Sequence, residues 1–272
     1  MTKTNKWHRS KKMLLYAFVF QCLVILACAS PIKLFKGGGS SDQRETENWQ
    51  ITVDKIRILT RGQSIPQHLI DPEKPATDQV FDPNLLLEPL NHLSLQPGYT
   101  LGFVYDYDGM GGRPILYARE ESAVPNDGHE ADQDTPSGED YLQFIQADGT
   151  EEGYFHWVLL RMMGDQFYLY WHAGYNDVEI IASKARLGEV VDELTSTEFG
   201  EPLSSSQKRQ ALRIDPAPVV EITEDLVMVR VVWFTKWGGF YEMVTTLTAS
   251  VPYQVIDTQS QQLIPYDCQV MF

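Results

Sequence analysis

The C-terminal stretch of the chain leaves little room for anything but strands. Val219–Thr223, Leu226–Trp237, Phe240–Ala249, Tyr253–Ile256 and Leu263–Phe272 are rich in β-branched and aromatic residues, separated by short turn-forming pieces. Gly238-Gly239 between the two longest runs is a two-residue hairpin signal, because such turns need positive φ. Strands joined by short turns pair antiparallel, since a parallel neighbour requires a long crossover. The spacing therefore predicts a mainly β, α+β domain with antiparallel sheets, either sandwich-like or a sheet with one or two packed helices.

Other segments support this class. Trp49, Ile51 and Val53 alternate with polar residues and read as a strand. Residues 61–97 are rich in Pro, Asp, Asn and Gln and read as loop, with one helical turn at Leu85-Leu86-Leu87. Tyr99–Tyr107 and Pro114–Arg119 flank the turn Asp108-Gly109-Met110-Gly111-Gly112. Residues 120–140 carry many carboxylates, no Lys or Arg, and almost no large apolar side chain, so they read as a mobile acidic loop. Their spacing fits no EF-hand calcium loop. Tyr141–Ile145, Tyr154–Met163, Gln166–Tyr175 and Val178–Ala182 read as four more strands. Ser183 then resembles an N-cap, and Leu187, Val190, Val191 and Leu194 recur at helical spacing. Ser204–Arg213 reads as a second, exposed helix.

The N-terminus has a different character. Lys3, Lys6, Arg9, Lys11 and Lys12 precede an apolar run from Met13 to Ala27, the pattern of an export signal. The run ends in Ile25-Leu26-Ala27-Cys28, a small residue directly before a cysteine, and this resembles the lipobox of bacterial lipoproteins. The resemblance implies that Cys28 is acylated and becomes the mature N-terminus, with residues 1–28 as its signal. Cleavage after Ala29, or retention as an uncleaved anchor, are the alternatives, and in all three the body faces away from the cytoplasm. Residues 29–48, with Gly37-Gly38-Gly39-Ser40-Ser41, read as a flexible tether, and residues 49–272 as one exported domain.

Charge and cysteine usage limit what that domain can do. The chain carries a net charge of −15, and loss of the basic leader makes the exported part more acidic still. Such a body repels phosphate backbones, which argues against nucleic acid. Cys22 and Cys28 belong to the leader and only Cys268 to the body, so the mature domain has no internal disulfide and no cysteine metal site. No cofactor motif is present: there is no Walker loop, dinucleotide fingerprint or Gly-x-Ser-x-Gly elbow. Ile264, Tyr266, Cys268, Val270 and Phe272 alternate to the end, which resembles the closing strand of outer-membrane barrels. Arg230 and Glu242 interrupt the apolar faces a barrel requires, so a strand tucked into an ordinary sheet, with Cys268 as a small buried hydrophobe, is the better reading.

Candidate contact residues follow from the expected Tyr154–Tyr175 hairpin. With Gly164 and Asp165 in the turn, one face holds His156, Val158, Leu160, Phe167, Leu169 and Trp171 and reads as core. The other holds Trp157, Arg161, Tyr168, Tyr170 and His172, aromatic rings with a guanidinium and an imidazole. Such a face can stack on a sugar or anchor a protein, unless a second sheet or the helix covers it. His172, Tyr175 and Asp177 are the nearest approach to a general acid–base set, although Gly-Tyr-Asn-Asp is also ordinary turn chemistry. Trp237 sits with Phe234, Phe240 and Tyr241 at an expected hairpin tip. These features predict a lipid-anchored, extracytoplasmic module that binds a protein or carbohydrate partner without catalysis or cofactor. A hydrolase using His172 and Asp177 is the rival reading.

Overall fold

The computed structural model describes residues 43–71, 73–76, 79–123, 139–175, 177–196 and 200–269. The leader with Cys28, the first part of the tether, most of the acidic loop and the last residues lie outside this set. Along the described residues run α1 (Gln43–Thr60), α2 (Gln67–Ile70), β1 (Leu93–Leu95), β2 (Tyr99–Tyr107) and β3 (Gly111–Glu120). There follow β4 (Ile145–Ala147), α3 (Glu151–Met163), β5 (Tyr170–Trp171), β6 (Glu179–Ile181), α4 (Lys184–Thr195) and α5 (Ser205–Ala211). The chain continues through β7 (Val219–Ile222), β8 (Leu226–Thr235), β9 (Gly239–Thr248) and β10 (Val255–Pro265).

All strand pairs among the described residues are antiparallel. β10, β9, β8 and β6 form the main sheet in that order, β7 also pairs with β8, β2–β3–β5 form a second sheet, and β1–β4 a small third. None closes into a barrel among the described residues, and no described helix is long and apolar enough to cross a membrane. The architecture is the expected sheet-rich α+β class.

β8 explains the layering. Its period of two sends Val227, Val229 and Val231 to one face and Val232 and Phe234 to the other, and both faces are buried. The first face joins the core built on α1 and α3, and the second packs under α4 with Leu187, Val190, Val191 and Leu194. Arg230 on the second face is buried, but its Nε donates to Glu242 Oε2 (2.8 Å) and its Nη atoms to the Ala217 and Asp215 carbonyls (2.9 and 2.8 Å). The two charges that would break a lipid-facing surface thus satisfy each other at the margin of the core.

Several expectations need correction. Trp49, Ile51 and Val53 lie in α1, not a strand; the buried set Trp49, Val53, Ile56 and Thr60 has helical spacing, and α1 starts at Gln43, inside the expected tether. Tyr154–Met163 is α3 rather than half of a hairpin. Thr150 caps it, accepting from Gly153 N (3.1 Å), and Glu151 and Glu152 stand in its first turn, where they favour the helix dipole. α3 is apolar almost all round because it lies between sheets and α1, which hides the one-sided periodicity of a surface helix. Tyr141–Ile145 is mostly a 3₁₀ turn, Asp140–Phe144.

The β8–β9 hairpin has three loop residues, since Thr235 pairs with Gly239. Gly239 has φ 99°, and a Cβ there would lie 2.1 Å from the Ile264 carbonyl oxygen. The two terminal strands expected at Tyr253–Ile256 and Leu263–Phe272 are one strand, β10, followed by an extended tail in which Tyr266 and Cys268 are buried. The expected helices at Ser183 and Ser204 are present. Ser183 accepts from Arg186 N, and Ser204 forms a capping box with Gln207.

Candidate functional site

Replacing the hairpin by α3 dissolves the expected aromatic face. Trp157 is 1 % exposed and packs edge-on against Tyr253 in the core, so it offers no contact surface. Arg161 lies at the C-terminal end of α3, where its Nε donates to both oxygens of Glu139 (3.1 Å each). Tyr168, Tyr170, His172, Tyr175 and Asp177 all fall in the loop that leaves α3 and returns to β6, residues 164–178. This loop is the common element of three surface cavities.

The base of the loop is tied down. Phe167 is fully buried against Phe81 and Phe103, with ring centroids at 4.4 and 5.1 Å. Tyr168 is buried, its hydroxyl accepts from Phe81 N (2.8 Å), and its carbonyl accepts from the Tyr105 hydroxyl (2.7 Å). Gly112 makes this possible, because a Cβ there would lie 2.4 Å from Tyr105 Oη. Gln166 Oε1 accepts from Val178 N (2.8 Å), which closes the neck. The result has the form of an Ω-loop, compact and with its ends together.

The tip is held away from the core. β5 pairs with β3 through Gly111↔Trp171 and Gly112↔Tyr170, so two glycines face two aromatics. Tyr107 and Tyr170 meet edge to face at 5.8 Å, and Trp171 packs edge-on against Tyr170 and His172. Trp171 is 61 % exposed, as is Met110 beside it on the β2–β3 turn. Trp171 has φ 45° and Tyr168 φ 51°. Bulky residues in the left-handed region are strained, and such strain concentrates at functional sites. Asp108, which accepts from Met110 N (2.9 Å) and Gly111 N (2.8 Å), is held below the usual carboxylate range by those backbone bonds, with a smaller contribution from His172. Asp106, Asp108, Arg113 and Ala173 border a cavity of about 170 Å³ at this tip.

Behind the loop lies a cavity of about 320 Å³ lined by Arg57, Arg61, Tyr168, Asp177 and Lys236. Its arginines and carboxylates are already paired: Arg61 with Asp177 (2.9 Å), and Glu179 with Arg57 (3.0 Å) and with Arg186 (2.6 Å). His172 does not line this cavity, so the expected His172–Asp177 pairing is not assembled there. Trp237, 41 % exposed, occupies the β8–β9 tip with Phe234 and Phe240 buried beneath it. Tyr175 ends the 3₁₀ turn His172–Tyr175, and Cys28 lies outside the described residues.

One further constellation was not expected from the sequence. His92 Nδ1 lies 2.7 Å from Asp148 Oδ2, and the His92 ring meets His156 edge-on at 5.1 Å. Thr150 is the adjacent hydroxyl, but it donates to Asp148 Oδ1 (2.6 Å) and accepts from Gly153 N, so it is spent on capping α3. His156 is buried with Nδ1 lacking a hydrogen-bond partner among the described residues. Burial, then the His92 charge, push its pKa from 6.5 to about 4, against an opposing pull from Asp148. The His92–Asp148 pair thus stands beside the capped N-terminus of α3. Among the described residues no group of three or more His, Cys, Asp or Glu side chains could hold a metal ion.

Trp171 escaped the sequence reading because the hairpin register assigned it to the core. Compared with known proteins, the chain matches no family model, and neither a curated protein nor a solved structure matches it.

Proposed function

We propose that this is an exported, Cys28-anchored bacterial protein whose domain is a non-enzymatic binding module, with the Trp171 tip as its contact surface for carbohydrate. The exposed indole held in a strained backbone carries the reading: a large apolar ring is kept in water at an energetic cost where simple packing would bury it. Tyr107, Tyr170 and Met110 extend the apolar platform. Asp106, Asp108 and His172 supply polar groups at its rim. A flat ring bordered by hydrogen-bonding groups suits the apolar face and hydroxyl edge of a sugar. The acidic body and the lipobox-like Cys28 support a setting outside the cytoplasm.

Titration of the full-length protein in detergent with soluble oligosaccharides, followed by tryptophan fluorescence and calorimetry, tests this. Trp171→Ala should weaken binding by about 2 kcal/mol, roughly thirtyfold in Kd. Equal binding by the variant, or no binding across neutral and acidic oligosaccharides, would refute it. Labelling with a radioactive fatty acid tests the anchor, and the label should vanish in Cys28→Ala.

A further inference from the structure

A third cavity, of about 410 Å³, opens between β3, the end of α3 and the start of the 164–178 loop. Its size falls in the lower part of the about 300–1,000 Å³ range of small-molecule sites. We propose that it binds a free amino acid, with the ligand's carboxylate on Arg113 and its ammonium on Asp165.

The argument is one of unmatched charges. Arg161 and Glu139 line the same cavity but are paired with each other, and Arg161 Nη1 also donates to Thr258 Oγ1 (3.3 Å). The Arg113 guanidinium has no hydrogen-bond or ion-pair partner among the described residues, although Arg57, Arg61, Arg161, Arg186 and Arg230 each hold a carboxylate. The Asp165 carboxylate accepts from Gln166 Nε2 (3.0 Å) and from its own backbone N–H, and forms no ion pair among the described residues. A cation and an anion thus face one cavity close enough to sense each other but without touching. A ligand with a carboxylate and an ammonium a few bonds apart bridges them. Arg113 can take the carboxylate through two parallel N–H donors. Pro114, Ile115 and Leu116 give the cavity an apolar wall for the ligand's side chain. Burial holds the Asp165 pKa above the usual carboxylate range, with Arg113 opposing more weakly. An arriving ammonium would reverse that shift, which is a gain specific to a cationic group.

Thermal unfolding of the full-length protein in detergent with each of the common L-amino acids, followed by calorimetry on those that raise Tm, tests the site. At least one amino acid should raise Tm, and its N-acetyl and amide derivatives should not. Arg113→Ala and Asp165→Asn should each weaken binding at least about tenfold, the loss of one charge-assisted hydrogen bond. Arg113 is exposed, so its variant keeps the fold and carries the test should Asp165→Asn unfold. The proposal is overturned if no amino acid binds, if N-acetyl amino acids bind equally, or if folded Arg113→Ala binds undiminished. Trp171→Ala should leave amino-acid binding intact, so this site and the sugar-binding tip stand or fall separately.

Discussion

His156 should make the domain acid-sensitive in a defined window. Its imidazole is buried in α3 against His92, with Asp148 on the far side of that ring, and its pKa falls from 6.5 to about 4. The folded value is the depressed one. Its stabilising effect is therefore complete above pH 6.5 and drains away as pH drops toward 4, because the unfolded chain takes up the proton first. At about 1.4 kcal/mol per pH unit the whole loss is about 3 kcal/mol, of which about 2 kcal/mol falls between pH 7 and pH 5. Carboxylates titrate in the same range, so the wild type alone cannot isolate this effect. Urea denaturation of the wild type and of His156→Leu at both pH values does so. The stability gap between them should shift by about 2 kcal/mol in favour of the variant at the lower pH. A gap that stays constant to within about 0.5 kcal/mol would show that His156 is not held neutral by burial.

Three other perturbations probe different parts of the argument. Glu179→Ala leaves Arg57 and Arg186 without their buried partner and should cost about 3–5 kcal/mol in chemical denaturation. Gly239→Ala combines a left-handed φ with a clash against the Ile264 carbonyl, so it should cost about 3 kcal/mol or prevent folding, read by circular dichroism. Trp171→Gly should raise stability by about 1 kcal/mol by relieving backbone strain while weakening oligosaccharide binding at least as much as Trp171→Ala, and a loss of stability instead would mean the indole is structural.

The C-terminal sheet was legible because β7, β8 and β9 have turn chemistry between them and side chains that fit a pleated, buried surface. Ser183 and Ser204 announced their helices through capping, a local signal that tertiary packing does not mask. α3 was not legible by periodicity, since a helix buried on every side shows no polar stripe. Its cap Thr150, the acidic first turn and its length were the available signals, because a run of thirteen residues is long for a single strand. A strand reading of α3 sets a hairpin register that carries Trp157 outward and Trp171 inward, the reverse of their places. Tyr170 and His172 lie beyond the helix, in the 164–178 loop. β10 was split in two because Asp257–Gln262 is exposed on both faces at the sheet edge, where alternation has nothing to record. Arg113 and Asp165 could not be paired in advance, since only the packing of β3 beside α3 brings them to one cavity.

The anchoring of the 164–178 loop has a thermodynamic consequence. Tyr168, the Gln166–Val178 bond and the Asp177–Arg61 pair immobilise it before any encounter. A surface frozen in advance surrenders little conformational entropy on association. The recognition proposed at Trp171 would then be that of a rigid lock, and crystals of free and sugar-bound protein should superimpose along the described part of this segment.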